Sequence, residues 1–558
     1  MKKIFKKTIC LTLASAVMIA ATACNKTNSD VSDDPTKTHV WVEYYSAGYG
    51  DEWMTAVSDA FEKQYADYSF EEGKKGVVVH ADGTQGGNST TAQMEQSKYD
   101  VFMLQNESYY ALVTDGEGLE DITSVVTETN VDGKTILSKM TQQEKDFFGI
   151  KDEQNTITYY GLPYYSGASG IIYDKDLFDK RGYYIAADQS EGLLIQSKTQ
   201  KKSNGPDGKE NTEDDGLPAT YDEFFALLDE IAVMDTPMIW PGTPYYSYYV
   251  GQLFDALVAD YEGVDNMMAN YTFEGTQDLI KMNSDGSPVI DSNGNPVLES
   301  VTITKANGYD VARQPGKYYA MKFIERLFGN DNYYYRDSFK TLSQLQSEQS
   351  FLEDGKINTN SNIAMLVDGP WWQREASSVF EAMEAKGEQF SAKNRNLRWM
   401  PLPKATEEKV AEKNKNVFYD GMSTTVCLKK GTGERKEACK KFIQFMMSDG
   451  AMNIFTQKTG AVLGYEYDIE DSVYESLTPF SRSLVKYVSE GDVLYRYSAD
   501  KFYNENYSRF KYDVVYGNGE YNNVPTAFYE KKYTASAYMQ SYYNNLKNGQ
   551  GNLWKNAR

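Results

Sequence analysis

HVWVEYY, residues 39–45, is the first of three short apolar segments that indicate buried strands. The other two are GVVVHA at 76–81 and YDVFML at 99–104. Polar segments of helical composition follow the first two strands, at about 51–65 and 91–97. Strands that alternate with helices are typical of a parallel, doubly wound sheet. We therefore predict an α/β fold for this part of the chain.

Three loops follow the predicted strands, at 44–49, 83–88 and 105–109. In open α/β sheets, a ligand binds beyond the carboxyl ends of the strands. These loops are therefore expected to form one wall of a binding site. The alternative for each is a solvated loop or a helix N-cap.

The first 23 residues have the order of a secretory signal peptide. Basic residues in MKKIFKK precede an uncharged stretch, and small residues stand directly before Cys24. The uncharged stretch is shorter than the about 20 apolar residues that span a bilayer. Ala21-Thr22-Ala23-Cys24 resembles a bacterial lipobox, which predicts cleavage before Cys24 and acylation of its sulfur. An ordinary signal peptide cut near Ala23 is the alternative.

Residues 24–37 are almost entirely polar and are predicted to form a flexible tether. Stable anchoring needs more than one acyl chain, which a diacylated Cys24 would provide. The N-terminal region thus predicts a protein on the outer face of the bacterial cytoplasmic membrane, attached to it through the lipid anchor only.

Composition excludes several classes of function. The 558 residues carry a formal net charge of −23, and nucleic acid is not expected as a partner because phosphate binding needs a basic surface. After processing, Cys427 and Cys439 are the only thiols left, too few for a disulfide framework. The 45 tyrosines exceed what a core needs, since a buried phenol must find a hydrogen-bond partner. Many are expected at the surface or in a cleft, although a source organism that favours tyrosine is the alternative.

Two insertions and a tail interrupt the regular pattern. Residues 189–216 are polar and glycine-rich and are predicted to be a surface excursion. Residues 280–304 contain Asp-Gly and Asn-Gly pairs between short apolar runs, which predict hairpin turns and a small β element. Thr220, with Glu223 three residues on, is predicted to start a helix with a capping box. The tail beyond residue 466 is tyrosine-rich and is predicted to be mostly helical.

Four stretches, in this order, resemble the carbohydrate-binding extracellular solute-binding proteins of ABC transporters, family 1, to which maltose-binding protein belongs. They are GLPYYSGASGIIYDKDLF (161–178), LPATYDEFFALLDEI (217–231), AMLVDGPWW (364–372) and STTVCLKKGTGERKEACKKFIQFMMSDGAMNIFTQKTGAVL (423–463). The resemblance covers most of residues 38–470 and is weak in the insertions and the tail.

The resemblance implies the two-lobed fold of periplasmic binding proteins (class II), with hinged, doubly wound lobes, small β insertions and a helical C-terminal tail. Lobe 1 would comprise 38–166 and 416–466, and lobe 2 would comprise 167–405 and 467–558. It also implies a protein that is not an enzyme, that captures an oligosaccharide by closing its lobes, and that delivers it to ABC permease subunits. We expect it to be a monomer.

A sugar site combines flat aromatic rings, which pack on the C–H faces, with amides and carboxylates for the hydroxyl groups. In the resembled family, the Trp after Gly-Pro stacks on a sugar ring, which assigns that role to Trp371 beside Asp368. Trp372 is either a second contact or a plug in the core of the lobe. The predicted ligand-binding set is completed by Tyr44, Tyr45, Ser46, Gln105, Asn106, Glu107, Tyr165, Ser166, Trp240, Tyr245, Tyr246 and Asp420.

Two further positions bear on the site. The family often carries a carboxylate after the hinge serine, where this chain has Gly167, so a sugar contact is missing there or is supplied elsewhere. Tyr248 and Tyr249 are left out of the set, because aromatic residues at helical spacing are more often core.

The acidic loop GPDGKENTEDDG, 205–216, offers several oxygen ligands in a short segment: Asp207, Asn211, Asp214 and Asp215. Hard cations bind such oxygens, although the loop does not fit the EF-hand pattern. It resembles calcium turns in insertions of some secreted bacterial proteins. A structural calcium ion is one interpretation, a solvated acidic turn the other, and no further cofactor is expected.

Two rival functions share parts of this pattern. A secreted glycoside hydrolase would need two carboxylates about 5 to 10 Å apart, and nothing singles out such a pair. HExxH, GxSxG, a P-loop and a Cys/His metal set are absent from the sequence. A peptide-binding protein of the same fold would need less aromatic stacking, so the tryptophans and tyrosines favour sugar.

Overall fold

A computed structural model describes residues 34–556, except 85, 88, 116–117, 198, 244, 511–523 and 552. Within this part of the chain, the strands are β1 (Thr38–Tyr45), β2 (Val77–Thr84), β3 (Val101–Gln105), β4 (Gly149–Lys151), β5 (Ile157–Tyr159), β6 (Gly161–Pro163), β7 (Gly170–Asp174), β8 (Thr236–Ile239), β9 (Gly275–Ile280), β10 (Leu298–Ile303), β11 (Ile363–Asp368), β12 (Leu397–Met400), β13 (Val417–Asp420), β14 (Thr424–Leu428) and β15 (Asp492–Tyr495).

Helices fill most of the remaining chain. They are α1 (Glu52–Gln64), α2 (Thr91–Gln96), α3 (Asn106–Asp115), α4 (Thr123–Thr127), α5 (Ile136–Lys139), α6 (Gln142–Phe148), α7 (Lys175–Arg181), α8 (Tyr221–Ile231), α9 (Tyr246–Thr272), α10 (Pro315–Phe328), α11 (Gln344–Glu353), α12 (Trp372–Glu375), α13 (Ser377–Glu384), α14 (Glu407–Ala411), α15 (Lys436–Met446), α16 (Asp449–Thr459), α17 (Asp471–Ser476), α18 (Pro479–Glu490), α19 (Lys501–Phe510), α20 (Val524–Tyr529), α21 (Ala535–Asn548) and α22 (Leu553–Asn556). None of the described helices is both long and apolar enough to cross a bilayer.

The first lobe is built on a five-stranded sheet in the order β2-β1-β3-β14-β6. β1 is parallel to β2 and β3, as the sequence predicts, whereas β14 is antiparallel to its neighbours. Helix α1 covers this sheet and packs on α16, because Trp53, Val57 and Phe61 recur at helical spacing on one face and are buried.

The second lobe is built on a four-stranded sheet in the order β12-β7-β11-β8. Only β8 and β11 are parallel, so this sheet is mixed rather than regularly doubly wound. All six residues of β11 are buried, which agrees with a central strand covered on both faces. The two lobes confirm the predicted fold class, while the lobe boundaries given above stay a prediction.

The chain leaves the first sheet through residues 164–169, which join β6 to β7, and returns to it through residues 421–423, which join β13, a strand paired with β15, to β14. The two passes lie side by side, because Gly167 O accepts hydrogen bonds from the amides of Gly421 (3.0 Å) and Met422 (2.8 Å). The Gly167 amide in turn donates to Asp420 Oδ1 at 3.1 Å. These bonds define the hinge crossing.

The insertion around 280–304 forms the expected β element. β9 and β10 pair antiparallel, and two small turns at 285–286 and 293–294 lie between them. In the C-terminal tail, α20 and α21 pack on α10, whereas α17 packs on α16 and α18 packs on β12. Thr220 caps α8 through a bond from the Glu223 amide, but the Glu223 carboxylate accepts from the Ala219 amide, so the reciprocal bond is shifted by one residue.

Candidate functional site

The loop after β1 and the segment after β11 face each other across an interlobe seam. On the first lobe the seam is formed by residues 45–53, and on the second lobe by 368–375 and the start of α9. Arg374 Nη2 lies 2.6 Å from Glu52 Oε1, so an ion pair joins the two sides. The Tyr49 ring meets the Trp371 ring edge to face, with centroids 6.4 Å apart. We call this part the closed half of the seam.

Trp371 lies at the centre of the closed half. It follows β11 through the Gly369-Pro370 turn, in which the Gly369 amide donates to Asp368 Oδ1 at 2.7 Å. Only 7% of Trp371 is exposed, because the Tyr49 ring and Gly167 lie against it. A Cβ at Gly167 would come within 3.2 Å of the indole. A side chain at position 167 would therefore press on the indole, so glycine suits the close approach of Trp371.

The open half of the seam is formed by Tyr45, Gln105 and Tyr248. Tyr45 is half-buried and hydrogen-bonds with the Gln105 side chain. Burial raises the pKa of Tyr45, the bond to Gln105 lowers it, and nearby Glu375 and Tyr248 raise it further. Tyr248 is 63% exposed and Tyr245 is 39% exposed. At this half an exposed ring of the second lobe, Tyr248, therefore lies near a half-buried ring of the first lobe, Tyr45.

Tyr248 and Tyr49 were missed by the sequence reasoning. Tyr248 lies on the exposed face of the first turn of α9, so the argument from helical spacing does not hold for it. Tyr249, the next residue, is buried as expected. Tyr49 lies in the loop that the sequence predicts as a wall of the site, which was a usable signal.

Four residues of the predicted set point into the cores of the lobes, which favours structural roles. Strand alternation turns Tyr44 away from Tyr45, and its hydroxyl donates to Asp51 Oδ1 at 2.6 Å. Asn106 bonds with Tyr495 and Thr425. Trp240 packs on Phe328, Tyr334 and Phe339, and Trp372 packs on Phe351, Phe380 and Phe480; both tryptophans are 0% exposed. A ligand could reach none of them without unpacking a core.

Three other predicted residues belong to the hinge crossing. Tyr165 is buried against Tyr49 and Trp53, and Ser166 O accepts a hydrogen bond from the Tyr49 hydroxyl. Asp420 accepts from the Gly167 amide, and burial raises its pKa to about 7. These positions place the three residues under the closed half of the seam.

The remaining predicted residues are placed as follows. Ser46 is buried, and its hydroxyl donates to Thr84 O at 3.1 Å, which fixes the loop after β1. Glu107 and Tyr246 lie in helices, but their side chains are outside the described part of the structure. Cys24 also lies outside the described residues. Cys427 and Cys439 are buried free thiols.

A cluster of carboxyl groups lies behind Trp371. Glu348 on α11, Asp368 at the end of β11 and Glu375 on α12 each offer one oxygen, and these oxygens lie within 4.8 Å of one another. Sequence reasoning found Asp368 only. Glu348 is 20 residues away along the chain on another helix, so no local pattern could have indicated it.

The carboxylates of Asp207, Asp214 and Asp215 accept hydrogen bonds within the 205–216 loop. Asp214 Oδ1 accepts from the Thr212 hydroxyl at 2.6 Å, and its Oδ2 accepts from the Asp207 amide at 3.0 Å. Asp215 Oδ2 accepts from the Asn211 amide at 2.9 Å. The Asn211 side chain is exposed. Calcium at this loop stays a prediction.

A surface groove of about 620 Å³ lies away from the seam, beside the β9–β10 hairpin. Tyr261 and Tyr319 stack at 5.2 Å in its wall, and Lys409 lies over the Tyr261 ring. The groove is open and involves one lobe only. A ligand there would gain nothing from lobe closure.

Comparison with known proteins agrees with this architecture. The sequence model of the family described as bacterial extracellular solute-binding protein matches residues 46–453. No curated protein matches the chain. Similar solved structures are a chitin oligosaccharide binding protein (TM-score 0.53, 13% identity, 92% of this chain and 98% of that chain), apo RafE from Streptococcus pneumoniae (0.51, 13%, 92% and 98%) and a probable secreted solute-binding lipoprotein from Streptomyces coelicolor (0.51, 12%, 91% and 98%). At these identities the likeness concerns the fold.

Proposed function

Because the chain belongs to the bacterial extracellular solute-binding protein family, we propose that it captures a carbohydrate at the interlobe seam. The ligand is an oligosaccharide, which the protein delivers unchanged to the permease subunits of an ABC importer. The observation that carries the proposal is the presence of aromatic rings from both lobes at one seam: Tyr45 on the first lobe, Tyr248 and Trp371 on the second.

The chemistry of these side chains suits a sugar. Aromatic faces cover the apolar C–H surface of a pyranose ring, and the Gln105 amide can both donate to and accept from hydroxyl groups. The open half offers an exposed ring that a ligand can reach without any movement of the lobes. The fold shared with a chitin oligosaccharide binding protein supports the choice of an extended saccharide.

The closed half requires lobe movement before it can bind. Trp371 is covered by Tyr49 and by the hinge crossing at Gly167, so a ligand reaches its face only when residues 46–53 move away. The hinge crossing is short and held by backbone hydrogen bonds, which suits a rotation localised to residues 164–169 and 421–423. A ligand drives closure only through contacts that are better in the closed state.

Calorimetric titration of the full chain with neutral oligosaccharides and with oligopeptides tests the proposal. We expect heat of binding with at least one oligosaccharide and none with the peptides. Binding of peptides alone would overturn the assignment in favour of the peptide-binding alternative.

Hydrolysis is the weaker alternative for the same seam. The carboxyls of Glu348 and Asp368 are close together, but both residues are 0% exposed behind Trp371 and face no space for a glycosidic bond. Incubation of the purified protein with the bound oligosaccharide should leave the sugar intact, as chromatography of the recovered sugar would show. Recovery of shorter sugars would contradict a pure binding function.

The anchor and the assembly state are part of the proposal. Acylated Cys24 holds a monomer at the outer face of the cytoplasmic membrane through a polar tether of residues 25–37. Cys24→Ser should release the protein into the medium, as fractionation and immunoblotting would show. Membrane retention of the variant would rule out thioether lipidation.

A further inference from the structure

Three carboxyl groups converge in the second lobe without a visible countercharge. Glu348, Asp368 and Glu375 come from α11, the end of β11 and α12, and their oxygens lie within 4.8 Å of one another. Glu348 and Asp368 are fully buried. We call these three residues the carboxyl cluster.

Most oxygens of the carboxyl cluster have no hydrogen-bond donor among the described residues. Both Glu348 oxygens, Asp368 Oδ2 and Glu375 Oε2 are buried and unpartnered. Asp368 accepts from the Gly369 amide through Oδ1 and also hydrogen-bonds with the Trp371 side chain, while the carboxyl groups of Glu348 and Glu375 lie within hydrogen-bond reach of each other. The nearest basic residue along the chain, Arg374, forms its ion pair with Glu52 across the seam instead.

Such an arrangement is unfavourable unless something neutralises it. Buried carboxylates in proteins are normally paired with a base or bound to a metal, because an isolated buried charge loses its hydration. Burial raises the pKa of both Glu348 and Asp368, and the neighbouring carboxyls raise it further. Shared protons or a cation are the two means of compensation.

We propose that Glu348, Asp368 and Glu375 bind one hard divalent cation, Ca²⁺, behind Trp371. Three carboxylates provide up to six oxygens, and Ca²⁺ takes six to eight oxygens in flexible geometry. Mg²⁺ demands near-octahedral geometry and keeps several waters, whereas Glu348 and Asp368 are fully buried. The ligand set contains no sulfur or imidazole, which separates it from transition-metal sites.

The position of the ion connects it with the seam. Glu375 lies against the first-lobe loop, since a Cβ at Gly48 would come within 2.9 Å of Glu375 Oε1. Asp368 begins the turn that carries Trp371. The cation would therefore hold α11, the end of β11 and α12 together as one rigid surface, on which residues 46–50 close.

The test uses the full chain, stripped with EGTA and dialysed into metal-free buffer. Calcium is then titrated calorimetrically, and thermal unfolding is followed with and without Ca²⁺. We expect one Ca²⁺ per chain and a rise of Tm on adding it. Both measurements use Ca²⁺ without any sugar, so their outcome does not depend on whether the protein binds a sugar.

Glu348→Gln separates the cation from shared protons. It should weaken Ca²⁺ binding by at least the roughly 10–100-fold that even the loss of an outer-shell partner costs, and it should abolish the rise of Tm. In EGTA the variant should melt above the parent, because one uncompensated carboxyl is gone. Glu375→Gln, at a half-buried position, should show the same loss of Ca²⁺ binding.

Two controls make the result specific. Glu381→Gln, at an exposed position on α13, should bind Ca²⁺ like the parent. Asp214→Asn, in the 205–216 loop, should leave the ion of the carboxyl cluster in place. Absence of Ca²⁺ binding by the parent would overturn the proposal in favour of shared protons. Loss of the single ion in Asp214→Asn, with binding kept in Glu348→Gln, would overturn it in favour of the loop.

Discussion

The two halves of the interlobe seam carry the same kinds of side chain in opposite states. In the open half, Tyr248 is 63% exposed and faces the first lobe near Tyr45. In the closed half, Trp371 is 7% exposed under the Tyr49 ring. The difference teaches that a ligand contacts the two halves in a fixed order. It reaches the open half first, and it reaches the closed half only after the lobes separate.

This order distinguishes two roles for an aromatic residue. A ring of the open half contributes affinity at the moment of encounter. A ring of the closed half contributes only in the state that the ligand and the moving lobe form together, so its contacts are the ones that drive closure. Variants in and around the two halves separate these roles from each other and from simple packing.

The largest effect is expected behind the closed half, at Trp372. Trp372→Ala removes a fully buried indole from a cluster with Phe351, Phe380 and Phe480 and should lower the free energy of unfolding by about 3–5 kcal/mol. Urea denaturation followed by circular dichroism measures it. Sugar affinity of the folded fraction should change little. A variant with parental stability but no sugar binding would place Trp372 in the site instead.

The second largest effect on the free energy of unfolding is expected at Asp420, in the hinge crossing that joins the two lobes. Burial raises the pKa of Asp420 to about 7, above the value near 3.9 of an unfolded chain. The folded state therefore keeps this proton to higher pH, so the stability it contributes is full below about pH 4 and is lost as pH rises to about 7.

Asp420→Asn replaces the titratable carboxyl group with an amide. The free energy of unfolding should therefore depend less on pH between about pH 4 and pH 7. The amide oxygen can still accept the bond from the Gly167 amide. At pH 8 the variant should be more stable than the parent by about 4 kcal/mol, the scale of a shift of about three pKa units. Urea denaturation at pH 5 and pH 8 measures the difference. If the free energy of unfolding changed equally between pH 5 and pH 8 in parent and variant, Asp420 would not titrate in this range.

Trp371→Ala should have the largest effect on ligand binding. Loss of the buried ring contact should weaken oligosaccharide affinity by about 2 kcal/mol, roughly 30-fold. Calorimetric titration measures the affinity. Trp371→Phe keeps a flat ring and should recover part of the loss. Unchanged affinity in Trp371→Ala would remove the closed half from the site and leave the open half alone.

The sequence predicts the strands that frame the seam better than the side chains that line it. β1, β2 and β3 begin within two residues of the predicted strands, because each is a compact apolar run. Tyr45 and Gln105 follow from the rule that ligands bind beyond the ends of parallel strands. Trp371 follows only from the family resemblance.

The residues that were placed wrongly or missed owe their positions to tertiary contacts, which no local sequence pattern indicates. Trp240 was expected in an aromatic loop of the site, but packing with Phe328 from α10 and Phe339 buries it. Tyr248 was left out of the site as a core residue because of its spacing, whereas it lies on the exposed face of α9 and Tyr249 lies on the buried face. Glu348 meets Asp368 only through the docking of α11 on β11.

The smallest expected effect tests the open half. Tyr248→Ala removes an exposed ring that no core needs, so the free energy of unfolding should stay unchanged while sugar affinity falls by about 1 kcal/mol, the scale of an aromatic contact. Tyr474→Ala, at a 39% exposed position on α17, is the matched control and should leave both quantities unchanged. Because encounter occurs at the open half, the loss in Tyr248→Ala should lie partly in the association rate, whereas in Trp371→Ala it should lie in dissociation. Stopped-flow tryptophan fluorescence measures the association and dissociation rates of the sugar. Equal dissociation rates in both variants would contradict the proposed order in which a ligand contacts the two halves.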